Sequence, residues 1–389
     1  MLPFLFLLSN DFNWKCEAPL NHSNPISGAT LLSFNLYTRH GLRTPQDTWL
    51  PSDERGSWIC DNDVSHSPRM NFVKSSTSSR RVHIIYSPKY VEFPPNCAPG
   101  DLLVSGMEEL SNLGRYYRSF LIDEMKFLPS SLNKSLISVF STYVTRAQQS
   151  AASFLNTFYP PEQPNEIIDI LTGSSSNDFL FPSDQLCQDY NDAFSNFTST
   201  EIFKERAEAA KEFYKPVYDQ YNLEWDGINW LWIGDMFSSF NCTNQDLPPV
   251  ITQEIFEQSQ RDLAYNVFGP GDLEGFRGVG GAAILRNLIS EVDSQINGTT
   301  SVRFRLYSGH DITIAGIMNV LGHSGTLTYP FASHLAVELW KKNDEIIIRF
   351  ALNGDPVTID LFDNNSEIEY NEFKEKIVPY LQFCKEEYP

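Results

Sequence analysis

Positive charge is what this sequence has least of. Its 29 Lys and Arg stand against 49 Asp and Glu, a formal charge of -20 over 389 residues. A surface of that sign repels a nucleic-acid backbone almost everywhere, so nucleic acid is excluded as a partner. A small phosphate ester is not excluded, because a few guanidiniums gathered in a cleft hold an anion against an unfavourable overall field. Apolar runs of membrane-spanning length are missing as well. The opening stretch Met1 to Leu8 is too short to cross a bilayer, and no transmembrane segment is predicted. The cysteines form no C-x-x-C pair, and His22, His66, His83, His323 and His334 show no ligand-like spacing. That leaves no zinc pattern, and neither a metal nor a cofactor is expected. No Gly-Lys-Ser/Thr follows the run Gly278-Val279-Gly280-Gly281, which is therefore read as a place of close backbone packing and not as a P-loop. A serine-hydrolase elbow is also lacking.

What is present points first to a compartment. Met1 to Leu8 has the apolar character of a secretory leader, although no Lys or Arg precedes it. Cys16, Cys60, Cys97, Cys187, Cys242 and Cys384 form an even set suited to disulfides. Asn21, Asn133, Asn196, Asn241, Asn297 and Asn364 each open an Asn-x-Ser/Thr acceptor for N-glycosylation. A secreted or lysosomal glycoprotein is expected.

The length exceeds one ordinary core. Apolar periodicity predicts strands at Leu31 to Leu36, Leu136 to Phe140 and Val302 to Ser308, and a closing hairpin of His334 to Trp340 with Ile346 to Leu352. Helical spacing marks Leu102 to Leu121, Ala147 to Phe158, Ile202 to Tyr221, Ile251 to Val267, Ile284 to Ile296 and Ile312 to Leu321. The expected fold is α/β, with a mixed, mostly parallel central sheet flanked by helices and an inserted, mainly helical cap. Its expected parts are a leader or N-terminal arm over 1–16 and a core over 17–177 that carries a surface insertion at 51–100. The cap follows over 178–269, and the second part of the core over 270–389. The aromatics of the cap, including Trp225, Trp230 and Trp232, are read chiefly as its core. Arg80-Arg81 in the insertion is read as part of a solvated loop.

Three polar motifs fall where predicted strands end: Arg39-His40-Gly41-Leu42-Arg43, Arg146 and His310-Asp311. Ligands of such sheets bind outside the carboxyl ends of the strands. Guanidiniums beside an imidazole repel a metal cation, but their planar forks match phosphate oxygens, and a ring nitrogen can attack phosphorus. The three motifs together offer the means to clamp a phosphoryl group, attack it and protonate what leaves.

These residues carry a resemblance. Arg39-His40-Gly41-Leu42-Arg43-Thr44-Pro45 is similar to Arg-His-Gly-x-Arg-x-Pro, and Tyr307-Ser308-Gly309-His310-Asp311 to Tyr-Ser-x-His-Asp, of the histidine acid phosphatases, the branch of the histidine phosphatase superfamily with acid phosphatases and phytases. The stretches Gly100 to Gly106 and Leu113 to Arg118 extend the likeness. The resemblance implies a metal-independent phosphomonoesterase. His40 would be the nucleophile, Arg39, Arg43, Arg146 and His310 would bind phosphate, and Asp311 would donate a proton. An acidic optimum follows, and it requires neighbours that keep His40 unprotonated. The family's Arg-Ser-Thr-Asp-Val-Asp-Arg-Thr stands here as Phe140-Ser141-Thr142-Tyr143-Val144-Thr145-Arg146-Ala147, without two carboxylates. The family pattern also implies Cys187 with Cys384. With Ser333 in place of a family cysteine, it leaves Cys242 to pair elsewhere, Cys16 being available; the 51–100 insertion is separately expected to be stapled by a disulfide of its own, Cys60 with Cys97. The expected substrate is a small phosphate monoester or a phosphorylated biomolecule. The rival reading is a phosphatase-like subunit of an extracellular signalling or binding complex with little turnover, and a homodimer or secreted complex stays open.

Overall fold

The computed structural model describes residues 12–385 apart from 48, 62–69, 75–78, 84–86, 88, 90, 164–165 and 182–186. Met1 to Leu8 and the side chains of Arg80-Arg81 lie outside the described residues. The strands are β1 (Thr30–Arg39), β2 (Met70–Lys74), β3 (Ser79–His83), β4 (Ile137–Ser141), β5 (Leu171–Thr172), β6 (Phe304–Gly309), β7 (His334–Lys342), β8 (Glu345–Leu352), β9 (Asp355–Pro356) and β10 (Glu367–Glu369). The helices are α1 (Val104–Arg118), α2 (Thr145–Phe158), α3 (Gln188–Ser199), α4 (Glu201–Phe213), α5 (Lys215–Tyr221), α6 (Ile233–Cys242), α7 (Gln253–Asp272), α8 (Ala282–Ile296), α9 (Asp311–Val320) and α10 (Tyr370–Ile377).

The central sheet runs β10-β8-β7-β1-β6-β4-β5, with β9 beside β8. Strands β1, β6, β4 and β5 are mutually parallel, and β8 points the same way because two antiparallel steps through β7 restore the direction. Strand β1 is buried on both faces because both are covered, as a central strand requires. Phe34 and Leu36 pack with Leu110 and Leu113 of α1, Phe154 and Phe158 of α2, and Phe304 and Leu306 of β6. On the opposite face Tyr37 stacks on Tyr307 at 4.5 Å, over a cluster built with Leu285 and Leu288 of α8, Ile314 and Ile317 of α9 and Phe373 of α10.

Local chemistry moves several predicted boundaries. The Ile202 to Tyr221 pattern divides into α4 and α5 because Pro216, lacking an N–H, suits the first turn of a new helix and not the interior of an old one. Helix α1 stops at Arg118 and passes into a wider turn over Ser119–Glu124, where Met125 N–H donates to Phe120 O. The 51–100 stretch holds the β2–β3 hairpin, and Trp58 and Phe93 near its ends are buried, Trp58 lying 5.1 Å from Phe240 of α6. The Gly278 to Gly281 run does serve close packing. A Cβ on Gly281 would lie 2.2 Å from the Gly316 carbonyl oxygen, so only glycine lets the start of α8 meet α9.

Described residues of the 188–272 region are helical in α3 to α7, around a core that includes Phe197, Tyr214, Trp230, Phe237 and Phe256. Trp225 is half-buried there, while Trp232 is exposed. Disulfides Cys16–Cys242, Cys60–Cys97 and Cys187–Cys384 tie the N-terminal arm to α6, the two ends of the insertion to each other, and the approach to α3 to the C-terminal segment. Phe12 and Trp14 pack against Phe256, so the arm belongs to the folded body from residue 12 onward. Among the described residues no helix is long and apolar enough to cross a membrane.

Candidate active site

The register of three adjacent strands builds the site. Arg39 of β1 pairs with Gly309 of β6, and Ser308 of β6 with Ser141 of β4, so all three strands end at one level. His40, His310 and Thr142 directly follow the ends of β1, β6 and β4. Arg146 differs from expectation in detail. It does not end β4 but is the second residue of α2, whose first turn follows the strand after a short bend. The bend is fixed by Thr142 N–H to Ser308 O at 3.0 Å and by Ser308 Oγ–H to Ala147 O at 2.8 Å.

His40 is held on every side. Its N–H donates to Gly309 O at 3.0 Å, and its carbonyl accepts from Ala332 N–H at 3.2 Å. Its Nδ1 lies 2.8 Å from Gly41 O. A carbonyl can only accept, so Nδ1 carries the hydrogen and Nε2 presents a lone pair. A Cβ on Gly41 would meet Gly106 O at 2.2 Å, and one on Gly106 would meet Leu42 O at 2.2 Å; α1 therefore abuts the loop directly. Behind the loop, Leu42 N–H donates to the buried Glu109 of α1 at 2.8 Å.

The His40 and His310 rings stand edge to face with centroids 5.3 Å apart. His310 Nε2 lies 3.1 Å from Thr142 Oγ1, and its backbone N–H donates to Thr313 Oγ1 at 3.0 Å, which anchors it at the start of α9. Arg39 pairs with Asp311 at 3.0 Å, donates to Tyr329 O and lies over the Phe331 ring at 4.3 Å. Arg43 donates to Thr44 O at 2.9 Å and to Asp235 of α6. Arg146 donates to Gln46 Oε1 at 3.2 Å. The Nε atoms of Arg39, Arg43 and Arg146 are buried with no hydrogen-bond partner among the described residues. Three orphaned donors around one imidazole suit an anion, since such groups are costly to bury unpaired.

Electrostatics follow from this crowding. Burial, then Arg146, His310, Arg43 and Arg39, push the His40 imidazole well below its ordinary range, and burial with the same three arginines does likewise to His310. Burial and the neighbouring Arg43 bring the Arg146 guanidinium down to about 9.

The six residues singled out in sequence thus come together. Asp235, Gln46, Thr142, Glu109 and Asp178 were not foreseen. Asp178, fully buried, accepts from the backbone N–H groups of Tyr143 at 2.8 Å and Leu180 at 3.1 Å, so a carboxylate from a later segment braces the loop that lost its own acids at Tyr143 and Thr145. A signal existed for Glu109, an acid on the apolar face of α1 beside Leu110 and Leu113. Asp235 looks in sequence like an ordinary first-turn acid.

Known proteins share the sequence pattern and the fold of this chain. The family model described as histidine phosphatase superfamily (branch 2) matches residues 30–353. The chain is 27% identical to Counting factor 60 of Dictyostelium discoideum over 88% of this chain and 85% of that one. It is 22% identical to human lysophosphatidic acid phosphatase type 6 over 78% and 72%. In fold it is similar to the apo form of Hafnia alvei phytase, with a TM-score of 0.61 at 13% identity over 92% of this chain and 98% of the phytase. With the family pattern spanning residues 30–353, most of the polypeptide, the chain belongs to the histidine phosphatase superfamily, branch 2.

Proposed function

We propose that this protein is an acid phosphatase that hydrolyses phosphate monoesters through a phosphohistidine at His40. The observation that carries the reading is the pairing of a bare His40 Nε2 with three buried, unpartnered guanidinium Nε atoms. The Nε2 lone pair attacks phosphorus in line while Arg39, Arg43, Arg146 and His310 hold the equatorial oxygens. The P–O bond to the alcohol breaks, and Asp311, whose side chain remains 18% exposed, passes its proton to the leaving oxygen. Water then attacks phosphorus, Asp311 takes up a proton, and P–N cleavage frees inorganic phosphate. Acid conditions suit the protonated Asp311 this scheme needs. Burial and the arginines answer the matching difficulty, because they keep His40 unprotonated under the same conditions. The charge of the phosphoryl group is met by guanidiniums, so the scheme calls on no metal.

Passage through the secretory route, to the exterior or the lysosome, belongs to the same proposal. Its support is three disulfides and the exposure of all six acceptor asparagines, Asn21, Asn133, Asn196, Asn241, Asn297 and Asn364.

A second reading, a phosphatase-like subunit of an extracellular complex, draws on the likeness to Counting factor 60, whose name states no hydrolysis, and on Tyr143 and Thr145 in place of acids. Assay of the purified chain and of His40→Ala with p-nitrophenyl phosphate between pH 4 and 7 separates the two. The catalytic reading expects a loss of about 10³-fold or more in kcat. Equal background rates in both proteins would leave the binding reading.

A further inference from the structure

We propose that Asp235, a carboxylate delivered by α6, eases the release of phosphate by weakening the pocket's hold on it, an inference that rests on the phosphatase reading above. Asp235 Oδ1 accepts from Arg43 Nη2, and its Oδ2 faces Gln46 Nε2 at 3.5 Å. Gln46 Oε1 accepts in turn from Arg146 Nη2 at 3.2 Å. Contacts through Arg43, Asp235, Gln46 and Arg146 thus close one side of the guanidinium cluster, and a negative charge stands within that wall. Burial pushes the Asp235 carboxyl up, but Arg43, Arg39 and Arg146 outweigh it and hold the group below its ordinary value, so it is ionised across the working range. It thereby offsets one of the three guanidinium charges.

Two effects of opposite sign come with that carboxylate. As an acceptor it orients the Arg43 fork and favours anion binding. As a charge it repels the bound anion. The charge decides: at an effective dielectric of ~20, like charges about 6 Å apart repel strongly enough to change an affinity by more than tenfold. The orienting bond, by contrast, survives in a neutral amide. Three arginines without this opposing charge would retain product phosphate, and release would then limit turnover.

Calorimetric titration of the full chain with inorganic phosphate at pH 5 tests this directly. Asp235→Asn keeps an oxygen acceptor toward Arg43 and loses only the charge. It is expected to bind phosphate at least tenfold more tightly than the wild type, with KM and the inhibition constant for phosphate falling together and kcat no higher. A merely structural Asp235 predicts the reverse sign, so equal or weaker binding in the variant overturns the proposal. Should Asp235→Asn not fold, Gln46→Glu, a change at an exposed side chain, adds charge to the same wall and is expected to weaken phosphate about tenfold; unchanged or tighter binding there overturns it equally. A wild-type chain that binds no phosphate sinks both this proposal and the phosphatase reading. Wild-type binding and turnover without tightening in the variant sink only the role of Asp235.

Discussion

Glu109 stands behind the pocket, yet it has a direct line to the nucleophile loop through Leu42 N–H. Burial pushes its carboxyl up to about 8, with the Leu42 bond lowering it in part and Glu17 raising it further. Between pH 4.5 and 8 the unfolded chain gives up this proton while the folded chain keeps it. Stability from this residue is therefore complete below pH 4.5 and lost as pH rises toward 8. Glu109→Gln keeps the oxygen acceptor and removes the titration. Denaturant midpoints should show the variant more stable than the wild type at pH 8, by on the order of 4 kcal/mol, and equal to it at pH 4. No difference at pH 8 would mean that the folded protein tolerates the ionised carboxylate there.

Among the elements, α1 matters most to the site without lending it a catalytic group. Gly106 lets the helix backbone touch the Gly41-Leu42 loop, and Leu103 N–H donates to Leu42 O at 2.9 Å. In Gly106→Ala a Cβ would lie 2.2 Å from Leu42 O and 2.6 Å from Leu42 N, both backbone atoms with no rotamer to escape into. The expected result is a loss of about 1–3 kcal/mol in thermal unfolding and a fall of more than tenfold in kcat/KM, because the His40 loop must move. Wild-type kinetics in a merely destabilised variant would uncouple the helix from the site. The segments around this contact also show where a sequence is readable. Strands β1 and β6 and helices α1, α2 and α9 were visible because each carries an apolar face at its own period. The β2–β3 hairpin was not, since a polar, Ser-rich stretch offers no such face.

At the scale of the whole molecule, acid presents a conflict. His40, His310 and His334 are all buried with pKa values pushed down; for His334, burial brings it to about 4 against two carbonyl contacts that work the other way. The unfolded chain takes up protons at these positions from about pH 6.5 downward while the folded chain does not, so stability falls as pH falls through that window. For His334 alone the loss between pH 6.5 and 4 is about 3 kcal/mol. Thermal unfolding of His334→Gln across that range should show a correspondingly shallower decline, and an unchanged slope would assign the acid sensitivity to the other two histidines. The neutral imidazole that chemistry at His40 requires thus carries a stability cost in acid, and inorganic phosphate bound in the pocket is expected to offset part of it by mass action.

Read alone, the chain already determined its layered α/β fold, the six cysteines and the convergence of Arg39, His40, Arg43, Arg146, His310 and Asp311. The physical reason is that strand periodicity is local, and topology sends the ends of parallel strands to one edge. Tertiary structure alone decided which further groups face that edge. Asp235 reaches Arg43 across 192 residues of chain, and Asp178 and Glu109 lend their carboxylates from other segments. It also decided which His40 nitrogen is bare, through the 2.8 Å contact with Gly41 O. Distance and burial set the charge state of each of these groups, and neither is written in local residue order.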